Sequence, residues 1–148
     1  LNPLRPNALE PRKRPRATLT PSLATRDGEP FMVFGTPGGD RQEHWSLQFF
    51  LNYVEFGMNI QEAIDAPNPS TTHFPSSFYP RSAHPGRVTA DSLLPPETIA
   101  GLRRRGHEVV LSGPWEGGKV LAIRYDKANG VIMGAASPKG NIGYAMGW

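Results

Sequence analysis

Apolar positions along this chain fall into short runs, and their spacing switches between a period of two and a period near 3.6. Positions 22–25 and 29–35 are two such runs flanking Arg26-Asp27-Gly28. An Asp-Gly pair between them predicts a tight β-hairpin. The second run, Phe31-Met32-Val33-Phe34, leads into Gly35-Thr36-Pro37-Gly38-Gly39-Asp40. From Trp45 onward, Leu47, Phe50, Leu51 and Val54 recur at helical spacing, and Phe49, Tyr53 and Phe56 widen the apolar surface. Asp40 with Glu43 three residues later predicts a capping box at the start of this helix, and Gly57 predicts its stop. Asn59 and Glu62 repeat the capping pattern for a short second helix, ended by Pro67. Residues 67–86 are rich in Pro, Ser and His and predict a long loop. A strand is predicted at 87–90. A helix follows over 95–105, with Pro in its first turn and Gly106 after its last. Strands are predicted at 108–111, 119–125 and 131–136, the last two joined around Lys127-Ala128-Asn129-Gly130. Strands outnumber helices and hairpins dominate, so the expected class is α+β, an antiparallel sheet with helices.

Composition narrows the picture. The 148 residues make one domain's worth of chain, which on folding buries roughly 68–70 % of its unfolded surface. The 16 Gly and 16 Pro are unusual. The prolines concentrate at the start and in the middle, which marks residues 1–21 as an extended, basic, Pro-rich lead-in and 67–86 as a Pro-rich loop. With no cysteine, disulfides, thiolate nucleophiles and Cys metal sites are excluded, and redox compartment stays open. No apolar run approaches the roughly 18 residues of a membrane-spanning helix, and no signal peptide is visible. The chain opens on Leu1, as a fragment of a longer protein would.

The net charge is +3. Arg5, Arg12, Lys13, Arg14 and Arg16 supply a basic run, but it is short, contains Pro15 and has no interleaved aromatics. It reads as solvated surface rather than a nucleic-acid contact. Arg103-Arg104-Arg105 sits where cations offset a helix dipole. No internal repeat is present.

The chemistry concentrates at Gly38-Gly39. Two glycines let the backbone approach a ligand closely, because no Cβ stands in the way. Amides at the start of the following helix lack internal partners and carry the positive end of its dipole. Such a loop suits negative charge, either a bound anion or an oxyanion formed in acyl transfer. By itself a Gly-Gly pair also fits a plain turn. Elsewhere the signals are weaker. A Ser/His/Asp triad can be composed from His44, His73, His84 or His107, as in any chain with four histidines. The spacing of His73 and His84 matches no zinc pattern, so neither metal nor cofactor is expected.

Upstream of the glycines lies Lys13-Arg14-Pro15-Arg16-Ala17-Thr18-Leu19-Thr20-Pro21. Together the two segments resemble the small subunit of the gamma-glutamyltransferase family (gamma-glutamyl transpeptidase, or glutathione hydrolase). That family carries Lys-Arg-Pro-x-Ser-Ser-Met-x-Pro and then Gly-Ser-Pro-Gly-Gly in this order. Further segments are similar. Residues 52–67 resemble the family's helix pair after the glycine loop, and Arg103-Arg104-Arg105-Gly106-His107-Glu108-Val109 its late helix-to-strand turn. Gly134-Ala135-Ala136-Ser137-Pro138-Lys139 and the closing Ala145-Met146-Gly147-Trp148 resemble its C-terminal Gly-Ala-x-Asp-Pro-Arg and Gly-Tyr. The resemblance spans nearly the whole chain, so residues 1–148 are expected to be the C-terminal portion of the small subunit.

The resemblance implies a four-layer αββα sandwich of the N-terminal-nucleophile hydrolase type, of which this chain supplies about half. It implies a γ-glutamyl amide as substrate, with transfer of the γ-glutamyl group to water or an amino-acid acceptor. The attacking threonine, freed by autocatalytic cleavage and using its own α-amine as base, would lie upstream of Leu1. Thr71-Thr72-His73 looks like the family's Thr-Thr-His start but follows the glycine loop instead of preceding it. By motif match Gly38 and Gly39 are the oxyanion donors. Ala17 and Thr18 take the places of the paired serines that hold the substrate's α-carboxylate. Thr18 keeps a hydroxyl; Ala17 cannot donate, which costs on the order of 1.5–3 kcal/mol of carboxylate binding unless Lys13 or Arg16 compensates. The expected partners are the γ-glutamyl substrate, the missing N-terminal part (the large subunit) and a second copy of this chain through an uncovered sheet face. Neither nucleic acid nor membrane is expected. Family resemblance implies a periplasmic or extracellular location. Two other readings stay open: an amide acylase of the same superfamily with a non-glutamyl acyl substrate, and a non-catalytic binding or structural domain.

Overall fold

The computed structural model describes residues 6, 8–14, 17–141 and 143–147. Leu1, Arg5, Pro15, Arg16 and Trp148, which enter the readings above, lie outside the described residues. Among the described residues, no helix or strand precedes Ser22.

The first hairpin pairs β1 (Ser22–Arg26) with β2 (Glu29–Gly35) in antiparallel register. Its turn residues Asp27 (φ 53) and Gly28 (φ 79) are both left-handed, the twist that two-residue hairpins prefer. After the glycine loop come a 3-10 turn at Gly39–Arg41 and α1 (Gln42–Val54). Asp40 does not cap this helix: Arg41 occupies the N-cap with no side-chain cap, and the Asp40 carboxylate is engaged elsewhere. The second box forms as expected. In front of α2 (Ile60–Asp65) the Asn59 side chain accepts from the amides of Gln61 and Glu62 at 3.0 and 2.9 Å, and the Glu62 carboxylate accepts from the Asn59 amide at 2.9 Å.

The 67–86 segment is not wholly irregular, since Ser70–Thr71 form a two-residue strand, β3. Then follow β4 (Arg87–Asp91), α3 (Pro96–Arg104), β5 (Glu108–Ser112), β6 (Leu121–Asp126) and β7 (Val131–Ala136). These strands form two sheets. One is antiparallel throughout, in the order β1-β2-β6-β7. The other, β3-β4-β5, contains a parallel pair, β4 with β5. Parallel strands need a crossover, and α3 supplies it. The overall class is therefore α+β, with one sheet mixed.

The main core lies between the four-stranded sheet and helices α1 and α2. Met32, Phe49, Ile64 and Val120 are its fully enclosed members, joined by Phe31, Trp45, Ala63, Ala122 and Ala135. Phe34 reaches across to Phe49 and Phe50, at ring separations of 5.3 and 5.6 Å. Burying a side chain such as Phe49 contributes about 1.5–3 kcal/mol.

The opposite face of the same sheet is open. Register aligns Leu23, Val33, Ile123 and Gly134 in one row across the four strands. Leu23 is 63 % exposed, Ile123 50 % and Ile132 70 %. The 143–147 segment runs over part of this face beside Gly134 and Leu121, leaving an apolar concavity of about 1300 Å³.

Candidate active site

Strand β2 delivers the chain into the glycine loop, and Thr36 fixes the point of entry. Its hydroxyl donates to the Pro37 carbonyl (2.9 Å) and accepts from the Lys119 amide (3.0 Å). Its carbonyl accepts from Gln42 Nε2 at 2.6 Å. The loop is thus tied to α1 on one side and to the lead-in of β6 on the other.

Gly38 and Gly39 both adopt positive φ, 146° and 57°. A Cβ on Gly38 would stand 2.2 Å from Cζ3 of the Trp45 ring, and one on Gly39 would stand 3.1 Å from Cε2 of Phe78. The first contact cannot exist, so only glycine lets the loop lie flat on Trp45. Neither amide finds an acceptor among the described residues. The loop thus presents two adjacent free N–H groups at the 3-10 turn that leads into α1.

The glycines line a cavity of about 300 Å³ together with Arg41, His44, Thr72, His73, Phe74 and Phe78. Its far wall is the 72–82 segment, held by Asp40. The Asp40 carboxylate accepts from Ser76 Oγ (3.0 Å), the Ser77 amide (2.7 Å) and Ser77 Oγ. His44 Nδ1 accepts from the Thr71 amide at 3.5 Å, and His73 Nδ1 from the Gly86 amide at 2.9 Å. Each of these bonds assigns the ring proton to Nε2 when the histidine is neutral. Thr72 Oγ1 is buried without a partner among the described residues.

Of the residues singled out in the sequence, Gly38, Gly39, His44, Thr71, Thr72 and His73 meet at this cavity. Ala17 and Thr18 do not line it; both are exposed in the segment before β1. Lys13 pairs with Glu10 at 3.5 Å. His84 donates its amide to the Thr72 carbonyl, and the His107 ring lies edge-on to His73 at 6.3 Å. Among the described residues no group of acidic and histidine side chains could hold a metal ion. Among the described residues no helix is long and apolar enough to cross a membrane. Sequence reasoning missed the clamp made by Asp40 and the position of Phe78. The only signal for either was the Ser76-Ser77 pair, whose hydroxyls needed an acceptor that periodicity does not locate.

The family model for gamma-glutamyltranspeptidase matches residues 1–148. The chain belongs to that family. It is 32 % identical to the glutathione hydrolase proenzyme of Pseudomonas sp. (strain A14), over 96 % of this chain and 24 % of that protein. It is 31 % identical to the oxamate amidohydrolase proenzyme of Klebsiella pneumoniae, over 100 % of this chain and 27 % of that one. Among solved structures it is similar to LmbA2991HD, with 51 % identity and a TM-score of 0.86, over 97 % of this chain and 26 % of that one. The chain therefore spans about a quarter of the length of the curated relatives it matches. The α+β fold is that of the N-terminal-nucleophile hydrolases of this family.

Proposed function

We propose that this chain is the part of a gamma-glutamyltransferase-like enzyme that carries its oxyanion loop. The whole enzyme cleaves γ-glutamyl amide bonds and passes the γ-glutamyl group to water or an amino-acid acceptor. The observation that carries this reading is the pair of unaccepted amides at Gly38 and Gly39, opening on a cavity within a chain of this family. A threonine from the preceding part of the protein attacks the carbonyl. The carbonyl oxygen gains negative charge, and the two amides stabilise it without reorganising, because Thr36 and Trp45 already fix the loop. Thr18 is proposed to meet the substrate's α-carboxylate when the rest of the protein is in place. The preceding part of the protein, its large subunit included, is proposed to cover the open sheet face.

Full-length protein should release glutamate from a γ-glutamyl anilide. Gly39→Val keeps the N–H but cannot easily hold φ 57, so it should displace the donor and lower kcat by up to about 10²–10³, more than it raises KM. An equal loss in binding and turnover would remove the oxyanion role. The 148-residue chain alone should show no turnover; activity proportional to its concentration would contradict the placement of the nucleophile upstream.

One observation favours a second reading, an amide acylase acting on a non-glutamyl acyl group. Ala17 offers no hydroxyl where the family has a serine, and an oxamate amidohydrolase is among the relatives. Turnover of simple acyl anilides with none of the γ-glutamyl anilide would decide for it.

A further inference from the structure

We infer that Phe78 is a specificity-determining residue: its ring, held over Gly39 by the Asp40 clamp, limits the size of the acyl group beside the oxyanion amides. The inference rests on the acyl-transfer reading and concerns the same cavity. Phe78 belongs to neither the glycine loop nor the helix behind it. It arrives from the 72–82 segment, 39 positions further along the chain, and yet its ring edge lies 3.1 Å from where a Gly39 side chain would begin.

The placement is fixed from several directions. Asp40, directly after the two glycines, accepts from the backbone and hydroxyl of Ser77 and from the hydroxyl of Ser76. The Phe78 amide donates to Ser76 Oγ at 3.1 Å, so the ring is one residue from the clamp. The Arg81 amide closes the bend by donating to the Phe78 carbonyl at 2.7 Å, and the Ser76 amide donates to the Ser82 carbonyl at 2.9 Å. Charge-assisted bonds to a carboxylate are stronger than neutral ones. These bonds tie the wall directly to the residue that follows the two glycines.

The cavity between them measures about 300 Å³, at the small end of ligand sites. Phe74, Pro75 and Phe78 make its outer wall apolar. In acyl transfer the acyl carbonyl occupies the oxyanion site in both half-reactions, whereas the leaving amine departs at the end of the first and the acyl group leaves with water or the acceptor at the end of the second. A wall bonded to the oxyanion loop therefore bears on the acyl group in both. The substrate class that fits is an amide with a short, slender acyl chain, and Asp40, which also lines the cavity, acts on it by positioning Phe78.

The test uses full-length protein and p-nitroanilides that share one leaving group and differ in acyl width, from acetyl through γ-glutamyl to phenylacetyl. Phe78→Ala should raise kcat/KM for the widest acyl group relative to the narrowest by roughly tenfold or more, the scale at which pocket size discriminates. Phe78→Trp should shift the ratio the other way. Asp40→Ala should move it in the same direction as Phe78→Ala, which a purely structural loss would not do. Phe78 is half-exposed, so its variants carry the test even if the Asp40 variant folds poorly. An unchanged ratio in the Phe78 variants, with the wild type active, overturns the inference and leaves acyl transfer standing. A wild type inactive on every anilide overturns both.

Discussion

Gly38 and Gly39 are glycines for different physical reasons, and substitution should separate them. At Gly38 an added methyl meets the Trp45 ring, itself confined on another side by Gly118. Overpacking combined with an unfavourable φ should cost Gly38→Ala at least about 2 kcal/mol of stability. At Gly39 the neighbour is the edge of a half-exposed ring, so Gly39→Ala should lose only about 1–2 kcal/mol, the left-handed backbone term. Denaturant titration of both variants checks the order; equal losses would mean that Trp45 yields. A second residue-scale expectation concerns Lys139. Its side chain is buried, and Nζ has no hydrogen-bond partner among the described residues. Burial lowers its pKa below the usual 10.5, against the opposing pull of Asp91 and Asp65. The unfolded chain then holds the proton to higher pH than the folded chain does. Stability should rise as pH climbs from the folded pKa towards 10.5, and should not vary with pH through this group well below that window, where the folded chain bears the full cost of the buried charge. Lys139→Met removes the titration, so the wild type should gain on the variant only in the alkaline window. A difference independent of pH would contradict the shift.

At the scale of elements, legibility in the sequence followed the range of the interactions. The capping box of α2 was readable because its partners lie three residues apart. Asn59→Ala should therefore cost about 1 kcal/mol by thermal or chemical unfolding, and a neutral result would mean that α2 is held by the core alone. Asp40 with Glu43 gave the same local signal and a different outcome. Ser76 and Ser77 lie 36 and 37 residues away and take the carboxylate, an alternative that no local pattern contains. The first hairpin was legible for the same reason as the capping box: Asp27-Gly28 fixes the turn and the pairing next to it, Arg26 with Glu29 and Thr25 with Pro30, before the register shifts between Thr25 and Ala24. The parallel pairing of β4 with β5 was not, because a helix separates the strands and either one read alone could join any edge. In the candidate site the glycine loop was visible as a Gly-Gly pair between an apolar run and a helical pattern. The wall opposite it was not, because 67–86 has no periodicity and is ordered by contacts to distant residues.

At the scale of the whole molecule, the four-stranded sheet has one face buried by α1 and α2 and the other left apolar and open. A soluble domain seldom leaves such a surface uncovered, and this chain is about a quarter of the length of its relatives. Helix α1 repeats the pattern: Trp45 and Phe49 face the core, while Leu47, Leu51 and Val54 are exposed on its far side. In the full protein the preceding segments are proposed to bury these surfaces; in the isolated 148-residue chain only another copy is available. The chain alone should therefore self-associate with concentration in sedimentation experiments. Val33 and Ile123 are direct partners across β2 and β6, at the centre of the open face. Placing lysines there, as Val33→Lys with Ile123→Lys, should return the isolated chain to a monomer while its circular dichroism stays intact, because neither side chain belongs to the core. In the full-length protein the same pair should instead be strongly destabilising, since it would bury two charges without partners. A wild-type chain that stays monomeric at high concentration, together with a full-length protein indifferent to the two lysines, would mean that nothing covers this face.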